Sequence, residues 1–109
     1  MSYLSYSVVS GGESKEVRLG MSELIQRYVP KLQDDNGAVY TVTAWGEKTR
    51  QGTWEGWLEF YPSDNAKAIL RTARETTQPN RSAVQYWASG LEPVYFEGAF
   101  ERAYPDRGL

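Results

Sequence analysis

The sequence predicts an α+β fold: a mainly antiparallel sheet of about five or six strands with two helices packed on one face. Three observations carry this reading. Ala38 to Trp45 and Thr53 to Tyr61 are dense in β-branched and aromatic residues and flank a polar turn. The stretch after Asn80 places apolar residues at helical spacing between a capping residue and a glycine. The chain has 109 residues, enough for one good core and too few for two. Residues 1–109 are therefore expected to form a single domain, with 104–109 as a loose tail.

At the start, Leu4, Tyr6 and Val8 alternate with Ser5 and Ser7, the pattern of a half-buried strand. Gly11-Gly12 turns the chain, and Val17 and Leu19 share a face, so a first hairpin is expected. Ser22 is a capping residue, and Met21, Leu24, Ile25, Tyr28 and Leu32 keep helical spacing. A helix is expected there, ending near Tyr28 because Pro30 lacks a backbone donor. Asp34-Asp35-Asn36-Gly37 then makes a turn suited to positive φ.

The two aromatic strands should pair as a hairpin. On the second, Trp54, Gly56, Leu58 and Phe60 share one face, and Glu55, Trp57, Glu59 and Tyr61 share the other. Ala66 to Thr77 carries both signals. Ala66, Ile69, Leu70 and Ala73 fit a helix stripe, while Thr72, Thr76 and Thr77 favour a strand, which is the reading preferred. Asn80 caps a helix whose apolar face is Ala83, Val84, Trp87 and Leu91, with Gly90 at its end. Val94, Phe96 and Phe100 are read as a last strand after Glu92-Pro93, passing into a helical turn near Ala103.

Composition narrows the chemistry. The net charge is −2 and the pI about 5.1, which argues against a dedicated nucleic-acid binder. Cys and His are both absent. That removes thiol nucleophiles, histidine bases, serine–histidine triads and the usual zinc ligand sets. A chain without Cys fits the cytoplasm, and no signal peptide or membrane span is read in it. No metal and no cofactor are expected. Asp34-Asp35-Asn36-Gly37 resembles a calcium-loop fragment, but that register puts Leu32 and Thr43 where carboxylates are needed. Asn80-Arg81-Ser82 matches a glycosylation sequon and is better read as a helix cap. Glu55 and Glu59 share a strand face at roughly 13 Å, beyond the span of a glycosidase pair.

Two constellations remain. Arg71, Arg74, Thr76, Gln78, Asn80 and Arg81 gather donors before a helix N-terminus, where an anion is attracted. The bland reading of the same residues is a polar strand edge followed by a cap. Trp57, between Glu55 and Glu59, is expected to be partly accessible and to mark an interaction surface. The bland reading there is a ring packed over its neighbouring strand. The function expected is a binding or interaction module without catalysis, recognising a small anion or an acidic peptide near the Asn80 helix start. The partners are then that anion or a protein, with a homodimer through a sheet edge or the Trp57 face among the assemblies considered. The alternative is a small enzyme or ligand-processing domain using Tyr, Arg and carboxylates.

Overall fold

The structure, a computed structural model, describes residues 21–104. The first hairpin read between Tyr3 and Leu19, and the tail beyond Tyr104, lie outside the described residues. Five strands and two helices follow in order: β1 (Glu23–Gln33), β2 (Val39–Lys48), β3 (Trp54–Pro62), β4 (Leu70–Arg71), β5 (Thr76–Gln78), α1 (Arg81–Ser89) and α2 (Pro93–Ala103). The sheet is antiparallel. β2 and β3 form its centre, β1 flanks β2, and β4 and β5 succeed one another along the outer edge of β3.

β2 and β3 pair without a break from Tyr40↔Pro62 to Lys48↔Trp54. Both long hairpins close the same way. Gly37 (φ 87°) and Gly52 (φ 92°) occupy the left-handed region in three-residue loops. In one, Gly37 N–H donates to Asp34 O at 3.0 Å. In the other, Gly52 N–H donates to Thr49 O at 3.1 Å. A type I turn followed by a left-handed glycine restores the strand twist, and only glycine adopts that φ without strain. Asp34 reinforces the first loop by accepting the Asn36 and Ala38 N–H groups, each at 2.9 Å. The bond from Ala38 is the chief reason that the Asp34 carboxyl lies below the usual carboxylate range.

The helix expected after Ser22 is strand β1. Its register slips between Leu24 and Gln26 and again between Arg27 and Lys31. These two bulges change the phase of the alternation. Ile25, Tyr28 and Leu32 thereby reach the same core, although their spacing is helical. Pro30 sits inside the second bulge, where pairing with β2 lapses between Arg27 and Lys31 and a missing N–H costs no bond of that ladder. The stretch from Ala66 to Thr77 does contain strand, in two short pieces, β4 and β5.

Between those pieces the outer strand bulges. Four residues, 72–75, lie opposite two of β3, 57 and 58. Thr72 repairs the ladder. Its N–H donates to Leu58 O at 3.0 Å, and its hydroxyl accepts the Leu58 N–H at 3.1 Å. Thr72 is 5% exposed, so no water substitutes for that hydroxyl.

Both helices cover the face that carries Tyr40, Val42, Ala44, Leu58 and Phe60. α1 starts at the Asn80 cap, whose side chain accepts the Ala83 N–H at 2.9 Å, and ends at Gly90. It buries Val84 and Ala88, with Trp87 and Leu91 packed beside them. It sits low because Gly56 lies beneath it. A Cβ there would come within 3.0 Å of Thr76 Cγ2, 3.1 Å of Trp87 Cζ3 and 3.2 Å of Val84 Cγ1.

The strand expected at Val94–Phe100 is helix α2. Pro93 occupies its first turn, where a proline is favoured. Phe96, Ala99, Phe100 and Ala103 recur at helical spacing against the core, while Val94 is 73% exposed. Phe100 meets Tyr40 and Phe60 edge-on at ring-centroid distances of 5.0 and 5.3 Å. Each such pair adds about 0.5–1.5 kcal/mol beyond its burial. Tyr104, the first residue of the expected tail, packs on Phe100 at 5.6 Å.

The Thr72 hydroxyl gives a direct test of the outer strand. Thr72→Val keeps the shape and leaves the buried Leu58 N–H without its acceptor, so unfolding by denaturant should lose about 1–3 kcal/mol. Thr72→Ser should lose clearly less. Equal stability of the valine variant and the parent would contradict the repair.

Candidate functional site

Pairing with β3 sorts the basic stretch onto two faces. Arg71 lies opposite Glu59, on the face away from the helices, whereas Thr76 and Gln78 lie opposite Gly56 and Trp54, on the helix-bearing face. The six residues of the expected anion site therefore form two groups. Arg71 and Arg74 join the other constellation, Glu55, Trp57 and Glu59. Thr76, Gln78, Asn80 and Arg81 stay with α1.

In the first group, the Arg71 guanidinium lies 4.4 Å from the centroid of the Trp57 ring. Trp57 is directly across the ladder from Trp45. Its indole N–H donates to Glu59 Oε2 at 2.9 Å, and the Tyr61 hydroxyl donates to Glu59 Oε1 at 2.7 Å. Trp45 Nε1 donates to Thr43 Oγ1 at 2.9 Å. Arg74 Nη1 stands 3.6 Å from Glu55 Oε2, with side chains 61% and 24% exposed. Trp57 itself is only 1% exposed, which overturns the expectation of an accessible ring. Carboxylates on either side in sequence suggested water. Instead Glu59 binds the indole N–H, Trp45 flanks the ring and Arg71 stacks on it. Any contact surface here is made by Arg71, Arg74, Glu55 and Glu59, with Trp57 as their support.

In the second group, Gln78 Nε2 donates to Thr76 Oγ1 at 2.7 Å, and the Asn80 side chain is committed to the helix cap. Arg81 Nε donates to Glu23 Oε1 at 2.6 Å, with Nη1 at 3.4 Å from Gln85 Oε1. The Arg81 and Glu23 side chains are 41% and 45% exposed. No acidic side chain of α1 itself occupies its first turn, and the carboxylate that reaches this end of the helix is Glu23 of β1, held by Arg81.

Sequence reasoning missed the role of Glu75. This carboxylate turns inward from the bulge, with its side chain 9% exposed, and takes Arg102 Nη2 at 2.6 Å. The same oxygen accepts a short hydrogen bond from the Tyr95 hydroxyl. The cluster ties the outer strand to α2. Its partners are 20 and 27 residues distant in sequence, so no local pattern marks it. Glu23, 58 residues from Arg81, is hidden in the same way.

Two half-buried tyrosines have shifted phenols. Burial first, then the bond to Glu75, pushes the Tyr95 phenol up to about 12. Burial first, then the charge of Tyr95, raises Tyr28 further still. A tyrosine base or nucleophile near neutral pH needs the opposite shift. Among the described residues no three carboxylates gather as a metal ion would require.

The raised phenols set an alkaline limit on stability. Folded Tyr95 keeps its proton between pH 10, the ordinary tyrosine value, and about 12. The unfolded chain releases it over that interval. The contribution is thus fully present below pH 10 and is lost as the pH rises through 12. Stability measured by denaturant should fall across this window, and Tyr95→Phe should flatten the fall. A difference in phenolate absorbance between parent and Tyr95→Phe with its midpoint at pH 10, the fold intact, would contradict this.

No protein-family model, no curated protein and no solved structure matches this chain.

Proposed function

We propose that this domain is a non-catalytic binding module that takes an acidic peptide, or a small anion, along its outer sheet edge. The observation that carries the reading is the fate of charge between Lys67 and Arg81. From residue 67 to residue 81 the sequence carries Lys67, Arg71, Arg74 and Arg81 against Glu75 alone. Glu75 is turned into the cluster with Tyr95 and Arg102, so the carboxylates that remain beside these arginines come from other strands: Glu59 opposite Arg71, Glu55 at Arg74 and Glu23 at Arg81. The bulge directs Arg74 to one side of the edge while α1 starts on the other, so an extended acidic chain can touch both groups. Guanidinium forks suit carboxylates. The carboxylates already on Arg74 and Arg81 belong to a half-buried Glu55 and an exposed Glu23, and the solvent-facing pair with Glu23 is of small net worth, about 0–1 kcal/mol.

Edge-to-edge pairing with a second copy is the weaker assembly. Among the described residues both outer strands are interrupted, β1 by two bulges and Pro30, the other by residues 72–75. Such devices discourage strand addition. No helix among the described residues is long and apolar enough to cross a membrane. The proposed setting is the cytoplasm, since a chain without Cys draws nothing from an oxidising compartment.

Titrating a hexaglutamate peptide and inorganic phosphate into labelled protein, with chemical-shift mapping, tests the reading. Shifts should cluster on residues 71–82 and shrink as salt is raised. Arg74→Ala and Arg81→Ala should each weaken binding about two- to fivefold, the scale of an exposed charge pair, and remain folded. Shifts clustered elsewhere, or normal binding by both variants, would reduce the edge to a strand border and a helix cap.

A further inference from the structure

We propose that Glu23 is a resident competitor for that edge: its carboxylate occupies Arg81 and sets the affinity for an incoming acidic group. The inference rests on the binding reading above. Two of the edge's guanidiniums already hold carboxylates from this chain, and the two contacts differ. Arg81 Nε to Glu23 Oε1 is 2.6 Å, a close charge-assisted hydrogen bond, whereas Arg74 to Glu55 is 3.6 Å, a loose contact.

The fold explains how so distant a carboxylate arrives. Glu23 pairs with Gly46, Gly46 with Gly56, and Gly56 with Thr76, one row running across the sheet from β1 to β5. The two glycines in that row carry no side chain. Gly56 is the one beneath α1, where Val84 and Trp87 fill the space a Cβ would take, and Arg81 at the start of this low-lying helix reaches Glu23 on β1. About half of each side chain is still open to water, so a ligand carboxylate can approach the same nitrogen that Glu23 holds. Binding at Arg81 is an exchange of one carboxylate for another. Only the surplus over the resident pair appears as affinity.

The experiment compares Glu23→Gln, Glu55→Gln and Arg81→Ala in binding hexaglutamate, with denaturant unfolding of each variant. Gln at 23 keeps an acceptor for Arg81 while removing the charge. Glu23→Gln should bind about two- to fivefold more tightly than the parent. Glu55→Gln should gain less, in line with its longer contact, and both gains should fade at high salt. Wild-type affinity in Glu23→Gln, beside weakened binding in Arg81→Ala, overturns the competitor and leaves the binding edge standing. No binding by the parent or by any variant overturns both. Should Glu23→Gln unfold easily, the Arg81 Nε–H resonance of the parent decides instead. Peptide must shift it and release Glu23, and an unmoved resonance in the presence of bound peptide overturns the competitor.

Discussion

The unbroken pairing of β2 with β3 is the constraint on which the rest of the structure depends. From Tyr40↔Pro62 to Lys48↔Trp54 no residue is inserted on either side. Alternation is therefore kept over the whole hairpin. One face is apolar and receives both helices, and the other carries Thr43, Trp45, Trp57 and Glu59 in a hydrogen-bonded set. Every irregularity falls on the strands outside this pair, in the two slips of β1 and the interruption between β4 and β5. A sheet whose centre is regular tolerates bulges at its borders, and the bulges re-aim side chains there.

Those borders supply the polar surface. The β4–β5 bulge sends Arg74 toward Glu55 and Glu75 toward Tyr95 and Arg102, so adjacent residues serve opposite faces of the sheet. The second slip of β1 turns Tyr28 inward, where its ring meets Phe96 at 4.5 Å and its hydroxyl bonds Ala88 O at 2.7 Å. That bond adds a side-chain donor to a carbonyl at the end of α1 that also accepts the Leu91 N–H at 3.3 Å. The helices are thus pinned by polar contacts from both outer strands, on top of the apolar burial at the centre.

The central hairpin and the Asn80 helix, with Val84, Trp87 and Leu91 on its inner face, were legible in the sequence because each is a regular period between recognisable stops, whereas Ala88 and not Ala83 completes that face. The segment 22–32 was not. Two bulges convert a strand's alternation into the spacing of Ile25, Tyr28 and Leu32, which a helix also produces. Val94, Phe96 and Phe100 misled in the opposite direction, since Ala99 and Ala103 complete a helical face that small residues make easy to overlook. The site suffered most from distance. Residue types alone marked Arg71, Arg74 and Arg81 as interesting, but the register with β3 decides which face each one joins. The partners Glu23, Glu75 and Arg102 lie too far along the chain to be paired by eye.

Native-state hydrogen exchange tests the central claim most directly, because it reads the ladder amide by amide. If the regular hairpin carries the fold, the slowest amides lie between 42 and 47 and between 56 and 60, and they share one opening free energy equal to that of global unfolding. The amide of Val29 in the β1 bulge, and those of Ala73 and Arg74, should exchange much faster by local opening. Equal protection of the bulges and the hairpin, or a hairpin that opens before α1, would contradict the account.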